Sequence, residues 1–205
     1  DLREFLPKME LPDRWILSRH NRVIIQVREA LEAYRFDEVS HTLYHYIWHE
    51  LCDWYIELVK GRLTQDSDNQ SKGLAQVVLA SVLEETLRLL HPIMPFITEE
   101  LWQHFPHQGD SIMIAAYPTS QAEFLDVQAE RDMALIIEVL TAIRNIRGEM
   151  NIPPSQKVDV KVQVHNEREL SLLDKHRDYL LRLGNIADLE MGPVVARPKL
   201  SATAV

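Results

Sequence analysis

Asp13-Arg-Trp-Ile-Leu-Ser-Arg-His-Asn-Arg-Val-Ile-Ile-Gln-Val-Arg-Glu-Ala-Leu-Glu-Ala-Tyr34 decides the fold class. Ile16, Val23, Val27, Leu31 and Tyr34 recur at helical spacing, with Leu17 and Ile24 beside them, a buried stripe with a period of about 3.6. Leu11-Pro12-Asp13 reads as the helix start, with Asp13 as N-cap. Working outward, Asp37 reads as the cap of a second helix, with Phe36 before it as a staple residue. Val39, Leu43, Tyr46, Ile47, Leu51, Trp54, Ile56, Leu58 and Val59 carry that helix to about Leu63. They are too many for one face, so much of it is expected to be buried. Thr64 to Lys72 is polar and reads as a loop.

A third helix is expected from about Gln70 to Leu90, ended by His91-Pro92, because the residue before proline avoids the α region. A shorter helix follows Pro95 and ends near Phe105, and Ser111 to Pro118 reads as coil or a single extended piece. Ser120-Gln-Ala-Glu123 fits a capping box and opens a long helix to about Asn151, stopped by Pro153-Pro154. The period then falls to about 2: Val158, Val160, Val162 and Val164 alternate with polar residues, which reads as a half-buried strand. Asn166-Glu-Arg-Glu169 is a second capping box, opening a helix to about Leu183, and Ile186 to Met191 reads as another strand. The fold class is therefore mainly α. An antiparallel helical bundle over residues 1–118 is followed, over 119–205, by a long helix and a small α/β unit. The chain starts at Asp1 rather than Met, and Ser201 to Val205 is weakly patterned. Both ends read as cut, so a piece of a longer protein is expected, truncated at the C-terminus.

The 205 residues are 46% hydrophobic and 26% charged, with six Gly and ten Pro, which excludes collagen-like and Gly-rich disordered classes. The longest apolar runs, such as Val77 to Ala80, are far short of the ~20 residues of a membrane-spanning helix. One cysteine, Cys52, excludes an internal disulfide and a four-cysteine metal site and points to a reducing compartment. The net charge is −9, so bulk electrostatics oppose nucleic-acid binding and any such role needs a local basic patch. Residues 1–118 hold 11 Lys+Arg against 18 Asp+Glu, and residues 119–205 hold 11 against 13.

His41, His45 and His49 stand at i, i+4 and i+8. Positions eight apart lie about 12 Å apart along a helix, so the three do not share one ion. They read as a partly solvated stripe beside an aromatic-rich core. Cys52, mid-helix among Leu51, Trp54 and Tyr55, reads as an inert buried thiol. No phosphate-cradling Gly loop and no nucleophile elbow occurs, so no catalytic centre is expected. Trp15, Arg19, Arg22 and Gln26 form one stripe flanking the apolar face of the first helix. A ring with guanidinium groups beside it can stack on unpaired bases and pair with phosphates. Equally, it can be a core-edge Trp with Arg stems packed along it. Arg144, Arg147 and Asn151 form a similar line at the end of the long helix, where Arg also complements the helix dipole.

Four segments carry a family resemblance. Leu51-Cys-Asp-Trp-Tyr-Ile-Glu-Leu-Val-Lys60 and Leu87-Arg-Leu-Leu-His-Pro-Ile-Met-Pro-Phe-Ile-Thr-Glu-Glu-Leu-Trp102 resemble segments of bacterial valyl-tRNA synthetases. Asp13-Arg-Trp-Ile-Leu-Ser18 and Ile143-Arg-Asn-Ile-Arg-Gly-Glu-Met-Asn-Ile-Pro-Pro154 are similar to two more. All four fall in the family's order and span nearly the whole chain. Isoleucyl and leucyl enzymes share the helical architecture, but Cys-Asp-Trp-Tyr is not expected there.

The resemblance implies a tRNA anticodon-binding helical domain of a class I synthetase. This chain would hold the anticodon stem-loop of tRNA(Val), while a catalytic domain elsewhere in the same polypeptide joins valine to the tRNA with ATP and Mg. No cofactor or metal is expected in the chain itself. The nucleotide-binding, editing and C-terminal coiled-coil parts of the family are not in these residues. Nor is the upstream Asn-Lys-x-x-Asn-x-x-Arg-Phe segment whose Lys and Phe contact anticodon bases. Trp15, Arg19, Arg22, Arg144 and Arg147 are the candidate tRNA-binding residues on physical grounds. The expected setting is cytoplasmic, without membrane, and monomeric. The alternative is a free-standing helical protein-interaction module, which would present a contiguous apolar patch and have no tRNA affinity.

Overall fold

The computed structural model describes residues 2–64, 68–198 and 201–204. It is mainly α-helical and divides into two compact units, Asp1–Glu130 and Arg131–Val205. In the first unit a 3-10 segment, Leu2–Lys8, leads into α1, Leu11–Glu32. Asp13 is not the cap of α1, as its sequence context suggests. Glu10 is the N-cap, Pro12 lies in the first turn, and the Asp13 carboxylate accepts the Glu10 N–H at 3.1 Å. A proline has no N–H to lose in a first turn, so the helix begins before it.

Asp13 is instead a buried anchor, with 0% exposure. Arg62 Nη1 donates to it at 2.8 Å and Tyr55 Oη at 3.2 Å. Arg62 also donates through Nε to Ser71 Oγ at 2.8 Å and through Nη2 to the Ser71 carbonyl at 3.1 Å, and Ser71 Oγ donates to Glu10 at 2.9 Å. Burial pushes the Asp13 carboxyl above the usual carboxylate range, against the pull of Arg62, the Glu10 N–H and Tyr55.

The second helix, α2, starts at Phe36 rather than after Asp37 and has no side-chain cap. Its start is set by the turn before it. Tyr34 adopts φ +57°, and the N–H groups of Tyr34 and Arg35 bond the Leu31 and Ala30 carbonyls at 3.0 and 2.8 Å. That is the closing geometry of a helix C-terminus in which glycine is usual. α2 is regular over Phe36–His45, widens to a π-helix over Tyr46–Ile56, and finishes as Glu57–Val59. In the widened stretch the buried residues are Tyr46, Glu50, Leu51 and Tyr55, and the pairs Tyr46/Leu51 and Glu50/Tyr55 are each five apart, the spacing of i→i+5 bonding. The helix is less buried than its dense apolar pattern suggests, since Ile47, Trp54 and Ile56 are only half-buried.

The expected loop from Thr64 falls partly on residues 65–67, which lie outside the described residues. α3, Asn69–Leu90, is capped by Asp68, which accepts the Ser71 N–H at 3.0 Å. α4 is Pro95–Trp102. Trp102 is buried with Leu87 and Ile112, and its Nε1 donates to Glu84 at 2.6 Å. The expected coil contains a 3-10 turn, Ile112–Ile114.

The long helix, α5, is Val127–Glu149, so the Ser120 capping box does not open it. Residues 121–126 are held in other ways. Asn21 Oδ1 accepts the Gln121 N–H at 2.6 Å, Ser18 Oγ accepts the Asp126 N–H at 2.9 Å, and Ala122–Phe124 forms a 3-10 turn. The Asp126 carboxylate takes the cap role, accepting the Ala129 N–H at 2.8 Å. The core of the unit includes Ile16, Ile24, Val27, Leu43, Tyr46, Leu51, Tyr55 and Leu89. A polar chain crosses it: His20 lies 3.0 Å from both Tyr46 Oη and Glu85 Oε2.

In the second unit β1, Val158–Gln163, alternates half-buried and exposed residues, as its period predicts. The Asn166 cap forms, its side chain accepting the Glu169 N–H at 2.9 Å. The helix it opens is broken at His176 into α6, Glu167–Lys175, and α7, Arg177–Gly184. β2, Ile186–Gly192, pairs parallel with β1, with Val160 opposite Leu189, and α6 and α7 form the crossover. Leu173, Leu180, Ile186 and Leu189 are buried. Asn185, at φ +50°, ends α7 and its amide donates to the Pro154 carbonyl at 2.7 Å.

Two outcomes follow from this packing. Arg62→Leu strands a buried carboxylate and lowers stability by about 3–5 kcal/mol, whereas Asp13→Leu together with Arg62→Leu loses less; urea unfolding midpoints compare the two. A Cβ on Gly184 would stand 2.9 Å from Ile186 Cδ1 and 3.7 Å from Ile143 Cγ2. Gly184→Val therefore costs about 1–3 kcal/mol by overpacking, read as a lowered thermal midpoint.

Candidate nucleic-acid interface

The expected Trp15–Arg19–Arg22 stripe forms on α1, but α1 is buried on most sides rather than on one. Trp15 is 4% exposed, so the ring is enclosed and the stripe presents guanidinium groups without an aromatic plane. Arg19 is bidentate on Glu50, with Nε to Oε2 at 2.7 Å and Nη2 to Oε1 at 2.8 Å, and lies 3.8 Å from Glu130. The hydrogen bond to Glu50 raises the Arg19 pKa further. Arg22 Nε donates to Glu130 at 2.6 Å, and Ser18 Oγ donates to the same carboxylate. The two arginines remain partly exposed at 29% and 37%, but two carboxylates balance their charge.

The other two candidates lie in the second unit. Arg144 is exposed on α5. Arg147 Nη2 donates to the carbonyls of Pro153 at 2.9 Å and Gln156 at 2.8 Å, and its Nη1 is buried without a hydrogen-bond partner. Arg147 thus braces the loop after α5.

An aromatic face on α2 is larger than the His spacing suggests. His41, His45 and His49 do form a stripe, with ring centroids 6.5 and 5.1 Å apart. Tyr44 and Trp48 join it, the Tyr44 ring 6.3 Å from both Trp48 and His49, and Trp48 is 52% exposed. Exposed Tyr34 and Phe36 make an edge-to-face pair at 6.3 Å in the preceding turn. Such rings can stack on unpaired bases, and imidazoles can donate to phosphates. The signal available in the sequence was Phe36, Ser40, Tyr44 and Trp48 at a constant spacing of four.

Beside this face a cleft of about 460 Å³ is lined by Gln26, Glu29, Arg35, Asp37, Glu38, His41 and Thr42. Its three carboxylates make it a poor phosphate site. Burial, then Asp53, pushes the Cys52 thiol up, which disfavours a thiolate nucleophile. Among the described residues no group of three or more His, Cys, Asp or Glu is arranged to hold a metal ion, and no helix is long and apolar enough to cross a membrane.

Residues 13–162 match the family model described as the anticodon-binding domain of tRNA ligase. The chain is 46% identical over 195 residues to a valine–tRNA ligase of Lactiplantibacillus plantarum, covering 95% of this chain and 22% of that protein. It is 42% identical over 195 residues to that of Halalkalibacterium halodurans, with the same coverage. It is 43% identical over 193 residues to that of Geobacillus kaustophilus, covering 94% of this chain and 22% of that protein. The chain thus spans about a fifth of the length of these relatives. It belongs to the family of anticodon-binding domains of tRNA ligases.

Proposed function

We propose that this chain is the anticodon stem-loop-binding region of a valine–tRNA ligase. It positions tRNA(Val) for ATP-dependent aminoacylation by a catalytic domain outside these 205 residues. What carries the reading is the similarity to valine–tRNA ligases along 95% of the chain. On this reading the bundle, residues 1–118, bears most of the RNA-binding surface, and the chain works in the cytoplasm as a monomer. Arg19, Arg22 and Arg144 reach toward RNA phosphates, and Trp48 and Tyr44 offer stacking planes. Trp15 and Arg147 act from behind, Trp15 by fixing α1 and Arg147 by bracing the loop that follows α5.

The test is tRNA(Val) binding by the intact parent ligase over a salt series. Arg22→Gln with Arg144→Gln weakens binding and reduces the salt slope by about 1 for each phosphate deprived of its arginine. Trp48→Ala weakens binding by about 1–3 kcal/mol if a base stacks there. Unchanged affinity and slope in these variants would remove those residues from the interface. No tRNA affinity of the intact unsubstituted protein, even at low salt, would remove the function.

A further inference from the structure

Pro92-Ile-Met-Pro-Phe-Ile97 is exposed at every position. Phe96 is 91% exposed, and Ile93, Met94, Ile97 and Leu101 are exposed with it. The segment is nonetheless firmly held from beneath. Thr98 is buried, donates to the Met94 carbonyl at 2.8 Å and lies 2.8 Å from His91 Nδ1. Trp102 anchors the end of α4 on Glu84. The adjoining turn adds Met113 and Ile114, 75% and 72% exposed, and is tied to α4 by Ser111 Oγ donating to Glu99 at 2.6 Å. A run of consecutive exposed apolar residues on a fixed scaffold marks an interaction surface.

The chemistry of the patch selects its occupant. No Lys or Arg occurs between Arg88 and Arg131, while Glu99, Glu100 and Asp110 lie within that stretch. RNA binding depends on cations that neutralise phosphates, so this face suits an apolar protein surface. The relatives are more than four times the length of this chain, since it covers 22% of each. A surface on the same polypeptide is present at high effective concentration and outcompetes a second copy.

We propose that Ile93, Met94, Phe96, Ile97 and Leu101, with Met113 and Ile114, are the docking face for an apolar surface of the parent ligase outside these 205 residues. The proposal rests on the reading of this chain as part of such a ligase.

Methionine oxidation tests it. Hydrogen peroxide transfers one oxygen to the thioether, giving the sulfoxide and water, and its rate follows exposure. Met94 and Met113 are the probes, and exposed Met150 of the second unit is the reference. In the 205-residue chain all three oxidise readily. In the intact ligase without tRNA, Met94 and Met113 are expected to slow at least tenfold relative to the chain. Phe96→Ser with Ile97→Ser is expected to restore Met94 oxidation in the intact ligase and to leave the thermal midpoint of the 205-residue chain unchanged.

Equal rates in the ligase and the chain would overturn the proposal. So would protection that appears only with added tRNA, which would make the face an RNA contact. Protection of the chain alone that fades on dilution would make it a self-association face and would overturn it too. The mass and aminoacylation activity of the native polypeptide are measured separately, so failure of the ligase reading is distinguishable from failure of the docking face.

Discussion

The contact between Asp13 and Arg62 is the constraint on which the bundle depends. A carboxylate taken fully out of water is costly unless it is paired and its remaining lone pairs are satisfied. Here the start of α1, the chain just past α2 and the start of α3 supply the partners, through Arg62, Tyr55, Glu10 and Ser71. These three ends cannot separate without stranding a charge. Along the same helix, Ser18, His20 and Asn21 each hold a different segment: the approach to α5, α2 with α3, and the backbone at Gln121. α1 is therefore a spine with polar contacts on several sides, and apolar burial fills the space between them.

That role explains which parts of the fold the sequence discloses. The alternation from Val158 to Val164 reads correctly because β1 has one half-buried and one exposed face, so period maps directly to burial. The Asn166 cap reads correctly because all its partners lie within a few residues. The caps assigned to Asp13 and Ser120 fail for different reasons. Pro12 in the first turn moves the start of α1 back to Glu10, where Asp13 serves as the third residue of a capping box, whereas Ser18 and Asn21 hold residues 121–126 outside the long helix. Trp15 is enclosed although its stripe is partly wet: Arg19, Arg22, Gln26 and Glu29 meet solvent, and the packing closes over the stripe only at its Trp15 end.

The candidate RNA surface was half legible. Arg19 and Arg22 share a face of α1 as their spacing requires, but their partners Glu50 and Glu130 lie 31 and 108 residues away. A count of cations along a helix does not register carboxylates that arrive from elsewhere, so the stripe reads as more basic than it is. The aromatic face of α2 had the opposite fate. Tyr44 and Trp48 lie outside the apolar stripe read from the sequence, and the structure turns both outward onto one face. What turns them out is the packing of Tyr46, Glu50, Leu51 and Tyr55 inward.

The π-helical stretch of α2 has a consequence for how this chain can change. A helix wound with extra residues per turn works as a phase adjuster. It sets the angular relation between the rings displayed near Tyr44 and the buried Asp13 partners, Tyr55 and Arg62. Removing a single residue between Tyr46 and Ile56 would let the helix relax to ordinary winding and rotate one end against the other by about a quarter turn or more, from 3.6 residues per turn. Either the outer rings or the buried anchor would then face the wrong way. The length of this helix is thus under tighter constraint than its composition. A size-conserving substitution along it leaves this angle unchanged, whereas an insertion or deletion within it would alter the angle.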